Sequence, residues 1–288
     1  MNDDQIIDLW LSSQRSERTR EAYAGDILLL RDHLKKSLPE IELRDLQQFQ
    51  ERLNSIKTKH GKPYAEKTKQ RILTAVKSLF SFAAEEGLIG ANPAKRIQLP
   101  KCKDDRGARV LSRAEVEKLI SATKTQRDRL ILKTLFFSGA RVSELTGLRW
   151  QDVQSNEYSG GQLALFGKGG ENRTVGVTAE LYQELIEYRR QSGGQAKDRV
   201  FTSQKDAGGM TRQQVYRIVK AAAKRSGANW AASPHWLRHS FATEGLKNSA
   251  PLPLIQRDLG HKSLSTTQIY LDVNPVESTA SYLIKSED

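Results

Sequence analysis

Cysteine is almost absent: Cys102 stands alone in a chain of 288 residues, so no intrachain disulfide can form and the thiol has no second soft ligand for a metal site. Histidine is scarce as well, and none of the five stands in a zinc-helix motif such as His-Glu-x-x-His, since the one pair four apart, His235 and His239, has Trp236 where the glutamate would be. We therefore expect chemistry that uses neither a metal nor another cofactor. No stretch approaches the roughly 18 apolar residues of a spanning helix, and the acidic start Met1-Asn2-Asp3-Asp4 is unlike a secretory signal. A soluble, cytoplasmic protein without membrane contact is the expectation. A phosphate-binding Gly-x-x-x-x-Gly-Lys-Ser/Thr loop is missing, as are internal repeats and low-complexity tracts.

Positive charge is what the chain has in excess. There are 46 Lys and Arg against 34 Asp and Glu, a formal net charge of +12 and a pI near 9.7. Such a balance favours a polyanionic partner over an acidic substrate or a neutral pocket. The excess is uneven: residues 1–100 hold 17 cations and 14 anions, leaving 29 and 20 for residues 101–288. The stronger phosphate field belongs to the second part.

The length suits two ordinary domains, each with its own core. Up to about residue 86 the apolar residues recur at helical spacing: Tyr23, Ile27, Leu30 and Leu34; then Leu46, Phe49, Leu53 and Ile56; then Ile72, Val76, Leu79 and Ala83. Gly87 is placed to stop the fourth helix, and Asn92-Pro93 marks the exit. The pattern predicts a bundle of four or five helices over 1–100, an exposed linker over 101–109 with the boundary near 105, and a second domain over 110–288. That domain opens with a capping box, Ser112-Arg113-Ala114-Glu115, and continues through a helix around Arg127 to Phe137 and another over Val142 to Leu148. Gly161 to Gly167 and Asn172 to Val177 read as two strands joined at Gly169-Gly170, which would put Lys168 at a hairpin tip. Thr211-Arg212-Gln213-Gln214 and Ser265-Thr266-Thr267-Gln268 are further capping boxes, and Ser233-Pro234 is an N-cap followed by proline. The fold class is thus mainly α, two domains, the second mostly helical with a small antiparallel sheet.

Six polar residues then draw attention. Arg141 stands in Ser138-Gly139-Ala140-Arg141-Val142-Ser143-Glu144-Leu145, and His235 and Arg238 stand in His235-Trp236-Leu237-Arg238-His239. Lys168 lies between Gly167 and Gly169. His261 follows Leu259-Gly260, and Tyr270 comes nine residues later in Thr266-Thr267-Gln268-Ile269-Tyr270. Arginine forks can hold nonbridging phosphate oxygens as lysine cannot, neutral imidazole can exchange protons near pH 7, and tyrosine is a nucleophile once activated. Taken singly each has a bland reading. Arg141 would pair with Glu144, Arg238 would be a solvated helix residue, Lys168 a solvated loop residue, and Tyr270 a boundary aromatic.

Together these motifs resemble the tyrosine recombinase (phage integrase) family, and the resemblance extends to the first hundred residues, which look like its SAM-like core-binding, DNA-clamping domain. The resemblance implies that Tyr270 attacks a DNA phosphodiester, that Arg141 and Arg238 clamp the phosphate, and that His235 accepts the tyrosine proton. It also implies that His261 hydrogen-bonds the scissile phosphate and that Lys168 protonates the leaving 5′ oxygen. A 3′-phosphotyrosyl link would conserve the bond energy, so neither metal nor ATP is required. His239 falls outside the motif and reads as a packing or supporting residue.

DNA contacts are expected from both domains. Arg212, Arg217, Lys220, Lys224 and Arg225 line the helix after Thr211; Lys67, Lys69, Arg71 and Lys77 crowd one helix of the first domain, and Arg173 stands on the second strand of the hairpin. Each of these groups could equally be a solvated face. The tail, with Val276, Ala280, Tyr282, Leu283 and Ile284, reads as a C-terminal helix that packs either on its own domain or on a neighbour, as in family members that form rings of four on two duplexes. A homotetramer, or a heterotetramer with a paralogue, is implied. The lack of a further N-terminal module looks like the compact Xer-like type without an arm-binding domain, although Ser240-Phe241-Ala242-Thr243 continues with Glu244 where Xer proteins usually carry histidine. The competing readings are a type IB topoisomerase and a non-catalytic, architectural DNA-binding protein on the same fold.

Overall fold

The computed structural model describes residues 1–58, 61–102, 109–158, 160–167, 172–203, 208–227 and 231–260. The chain divides into two compact units, Met1–Asp104 and Asp105–Asp288.

In the first unit four α-helices, α1 (Asp3–Ser13), α2 (Glu17–Leu34), α3 (Leu43–Arg52) and α4 (Glu66–Glu85), enclose one core. Caps set their starts. Asn2 and Gln5 form a reciprocal capping box on α1, satisfying two backbone donors, and Ser16 accepts from Thr19 N–H on α2, satisfying one of the orphan donors of that first turn. The expected stripe is buried: Ile27 and Leu30 of α2, Leu46 and Phe49 of α3, and Ile72, Val76, Leu79 and Ala83 of α4 all face inward. Trp10 of α1 stacks on Tyr23 at 5.4 Å between ring centroids and donates its indole N–H to Ser78 Oγ at 3.1 Å. A buried side chain of this size contributes about 1.5–3 kcal/mol or more by burial alone.

The second unit is built round α6 (Gln126–Ser138). Leu130, Ile131, Leu132, Leu135 and Phe136 are all buried, so apolar residues cover more than one face and the helix forms the centre of the unit. Packed on it are α5 (Arg113–Ser121), α8 (Ala179–Ser192), α9 (Arg212–Ser226) and α10 (Pro234–Lys247), while the short α7 (Val142–Gly147) follows it directly. The sheet has three antiparallel strands in the order β1-β2-β3: β1 (Val153–Asn156), β2 (Gly160–Phe166) and β3 (Asn172–Val177). Leu163 faces Val153 on one side and Val175 on the other, and all three are buried against the core. The last described helix, α11 (Leu252–Leu259), packs on α10 through Ala242, Leu246, Ile255 and Leu259.

Candidate functional site

Two helix endings create the site. α6 stops at Gly139, whose left-handed φ of +59° is the conformation that glycine adopts without cost. Ala140 follows, and Arg141 becomes the residue that caps α7. Glu144, three residues on, returns to accept from the Arg141 backbone N–H at 2.7 Å and from Arg141 Nη1 at 3.0 Å. α11 stops in the same way at Gly260, with φ +61°.

Three arginines close on that second ending. Arg173 Nε donates to the Asp258 carbonyl at 2.6 Å, Arg238 Nη2 to the Leu259 carbonyl, and Arg141 Nη2 to the Gly260 carbonyl at 3.1 Å. The last carbonyls of a helix lack intrahelical partners and carry its partial negative charge, so cations are stabilised there. Arg238 also donates from Nη1 to the Gly139 carbonyl, tying the two glycine caps together. Arg141 and Arg238, far apart in sequence, therefore converge beside the residue that precedes His261.

Glu144 is the anion at the centre. Its side chain has no exposure, and both oxygens take the Arg173 fork, Nη1 at 2.6 Å and Nη2 at 2.8 Å. Burial pushes this carboxyl up, but the bonds from Arg173 and from the Arg141 N–H outweigh that cost and hold it below its ordinary value of 4.5. Arg173 was expected to touch DNA; its guanidinium is instead enclosed, with the side chain 8% exposed, and is committed to Glu144 and Asp258.

His235 and Arg238 stand one turn apart on α10, with Pro234 in its first turn, so both side chains project to one side. One edge of His235 lies against buried His239, Nε2 to Nε2 at 2.9 Å with ring centroids 4.1 Å apart. Desolvation, then the positive charges of Arg238 and Arg109, hold the His235 imidazole below the usual histidine range.

Lys168, His261 and Tyr270 lie outside the described residues, as do the Gly169-Gly170 turn, the Ser265 capping box and the C-terminal tail. Of the other expected DNA contacts, Arg217, Lys220 and Lys224 lie along one side of α9, opposite buried Val215, Val219, Ala222 and Ala223. Arg212 is exposed at the start of that helix, while Arg225 reaches back to the Ala122 carbonyl at 2.7 Å. On α4, Lys67 is exposed, whereas Lys69 is buried with its ammonium on Glu66 and Asn54. Arg71 is paired with Asp26, and Lys77 donates to the carbonyls of Ala94, Lys95 and Ile97. These three cations hold their own unit together. The reading from sequence did not foresee the service of Asp258, Leu259 and Gly260 as carbonyl acceptors, because a backbone carbonyl carries no residue signature. Among the described residues no group of three His, Cys, Asp or Glu side chains could hold a metal ion, and no helix is long and apolar enough to cross a membrane.

The pattern of the Phage integrase family matches residues 109–277, and that of the Phage integrase N-terminal SAM-like domain matches residues 6–87. The chain belongs to the phage integrase family, the tyrosine recombinases. Among its relatives in that family, it is 34% identical over 284 residues to tyrosine recombinase XerD of Pseudomonas putida, covering 94% of this chain and 92% of that one. It is 32% identical to tyrosine recombinase XerC of Xanthomonas campestris pv. campestris, covering 92% and 81%. The fold is shared with a XerH site-specific recombinase bound to palindromic difH substrate, at 24% identity and a TM-score of 0.76 over 92% of this chain and 79% of that one. A lambda integrase tetramer bound to a Holliday junction gives 20% identity and a TM-score of 0.75 over 93% and 75%. The mostly helical, two-part architecture with one small antiparallel sheet is that of the integrase fold.

Proposed function

We propose that this tyrosine recombinase cuts and rejoins double-stranded DNA at a specific site through Tyr270. The observation that carries the reading is the convergence of Arg141 and Arg238 on neighbouring carbonyls at the end of α11, immediately before His261. The planar fork of a guanidinium suits the nonbridging oxygens of a phosphate. In this reading the two forks hold the nonbridging oxygens and stabilise the charge of the pentavalent phosphorane. His235 takes the proton from Tyr270 as its oxygen attacks, His261 hydrogen-bonds the phosphate, and Lys168 protonates the departing 5′ oxygen. The product is a 3′-phosphotyrosyl bond and a free 5′ hydroxyl. A 5′ hydroxyl from another duplex reverses the step with a new partner, so no nucleotide cofactor is consumed.

The partner in this reading is a DNA recombination site, bound in the cytoplasm by four protomers on two duplexes, either identical or paired with a paralogue, through the C-terminal tail. The exposed cations of α9 supply part of the grip. The test uses the full chain with its neighbouring genomic DNA, nicked near candidate sites. A denaturation-resistant protein-DNA adduct is expected from the wild type and not from Tyr270→Phe, which lacks only the attacking oxygen; an adduct formed equally by both proteins would overturn the assignment.

A further inference from the structure

His239 is a buried titratable side chain to which the proposed chemistry gives no task. It lies one helical turn beyond His235, 4% exposed, and the two rings meet through Nε2 and Nε2 at 2.9 Å. Nitrogens at that separation share one proton: one must be N–H and the other a lone pair. Two imidazolium rings cannot occupy the arrangement, because each would present an N–H to the other and their charges would repel at close range. The histidines therefore form a hydrogen-bonded dyad that takes up one proton as a unit.

We propose that His239 is a positioning residue for His235, setting its tautomer and accepting a hydrogen bond from its Nε2–H when His235 becomes imidazolium. The proposal rests on His235 being the proton acceptor in the cleavage step. Its proton balance is simple. When Nδ1 of His235 takes the proton from the attacking tyrosine, the proton already on Nε2 stays there and donates to the Nε2 lone pair of His239, whose own proton is on Nδ1. The described charges that bear on His235, Arg238 on the same helix and Arg109 before α5, are both cationic and oppose that protonation. Four charged groups on the helices packed against α10 pair elsewhere: Lys133 of α6 with Glu180 and Glu184, Arg113 of α5 with Glu117, Arg225 of α9 with the Ala122 carbonyl, and Asp258 of α11 with Arg257. His239 is thus a described neighbour that favours the proton on His235, the service a carboxylate gives to the histidine of a hydrolytic triad.

The test is nitrogen NMR of the full chain labelled with nitrogen-15 in histidine, assigned with single histidine variants. In the wild type a scalar coupling across the hydrogen bond should join the Nε2 atoms of His235 and His239, and the pair should take up one proton over the titration. In His239→Phe the proton affinity of His235 should fall about tenfold, as expected for losing a hydrogen bond to an ionised group, and His239→Gln should restore part of it through its carbonyl. Two imidazoles that titrate independently without coupling in the wild type, or an unmoved His235 midpoint in folded His239→Phe, would overturn the proposal. These spectra need no DNA, so they stand apart from the fate of the recombinase reading. With nicked DNA, the acid limb of adduct formation should move about one pH unit lower in His239→Phe; a uniform loss at every pH would mark a purely structural residue and also overturn the proposal.

Discussion

Glu144 receives two arginines, and its energetic role differs from that of a surface ion pair. With no side-chain exposure, neutralising it leaves the Arg173 charge buried without compensation. Glu144→Gln should destabilise the chain by about 3–5 kcal/mol, read from urea unfolding, while adding Arg173→Met should recover much of the loss because the stranded charge goes too. The pH dependence has a definite sign. The folded-state affinity of this carboxyl for its proton is depressed below the ordinary 4.5, so its contribution is complete above that value and is lost as pH falls through the folded one. Acid titration of stability should therefore show a limb below about pH 4.5 in the wild type that is shallower in Glu144→Gln. A variant as stable as the wild type at neutral pH would refute this account of the carboxylate. Its pairing with Arg141 was legible as the bland reading of that arginine, since the two residues are three apart on a helix. The Arg173 contact was not, because Arg173 lies 29 positions beyond Glu144, across β1 and β2, and sequence spacing carries no information about which strand meets which helix.

At the scale of elements, legibility followed the strength of local signals. The capping boxes at Ser112 and Thr211 and the proline start at Pro234 open α5, α9 and α10 where the sequence put them, because a cap is satisfied by residues within one turn. β1 was not foreseen: Val153-Gln154-Ser155-Asn156 has one apolar side chain and gains its ladder only by pairing with β2. α11 is short, with Pro251 and Pro253 bracketing its start, and it owes its place to Ile255 and Leu259 against α10 rather than to propensity. The end of α6 is similarly determined by packing. A Cβ at Gly139 would come within 2.6 Å of the Phe241 ring in a left-handed conformation that side chains resist, so Gly139→Ala should destabilise the protein by roughly 1–3 kcal/mol and disturb the carbonyl that holds Arg238. Thermal unfolding reads the first effect, and an unchanged midpoint would contradict it. α9 offers a different test. Replacing Arg217, Lys220 and Lys224 together with alanine should weaken DNA binding for every sequence tried and reduce the dependence of log K on log salt by about one per lost phosphate contact. An unaltered slope would remove this face from the interface.

Over the whole molecule, composition carried the partner class and local motifs carried the family, while the meeting of the site residues was a tertiary fact. A net charge of +12 signals a polyanion without selecting one. The integrase motifs pointed to phosphodiester chemistry, yet Arg141 and Arg238 lie 97 positions apart in number and come together only because α6, α10 and α11 pack side by side. The central claim is that Tyr270 becomes the covalent link to DNA. Its most direct test is mass spectrometry of the peptide that remains attached to DNA after proteolysis of the adduct. We predict a peptide containing Tyr270, with its phenolic oxygen esterified to a 3′ phosphate. Linkage through any other residue, or to a 5′ phosphate, would contradict the account.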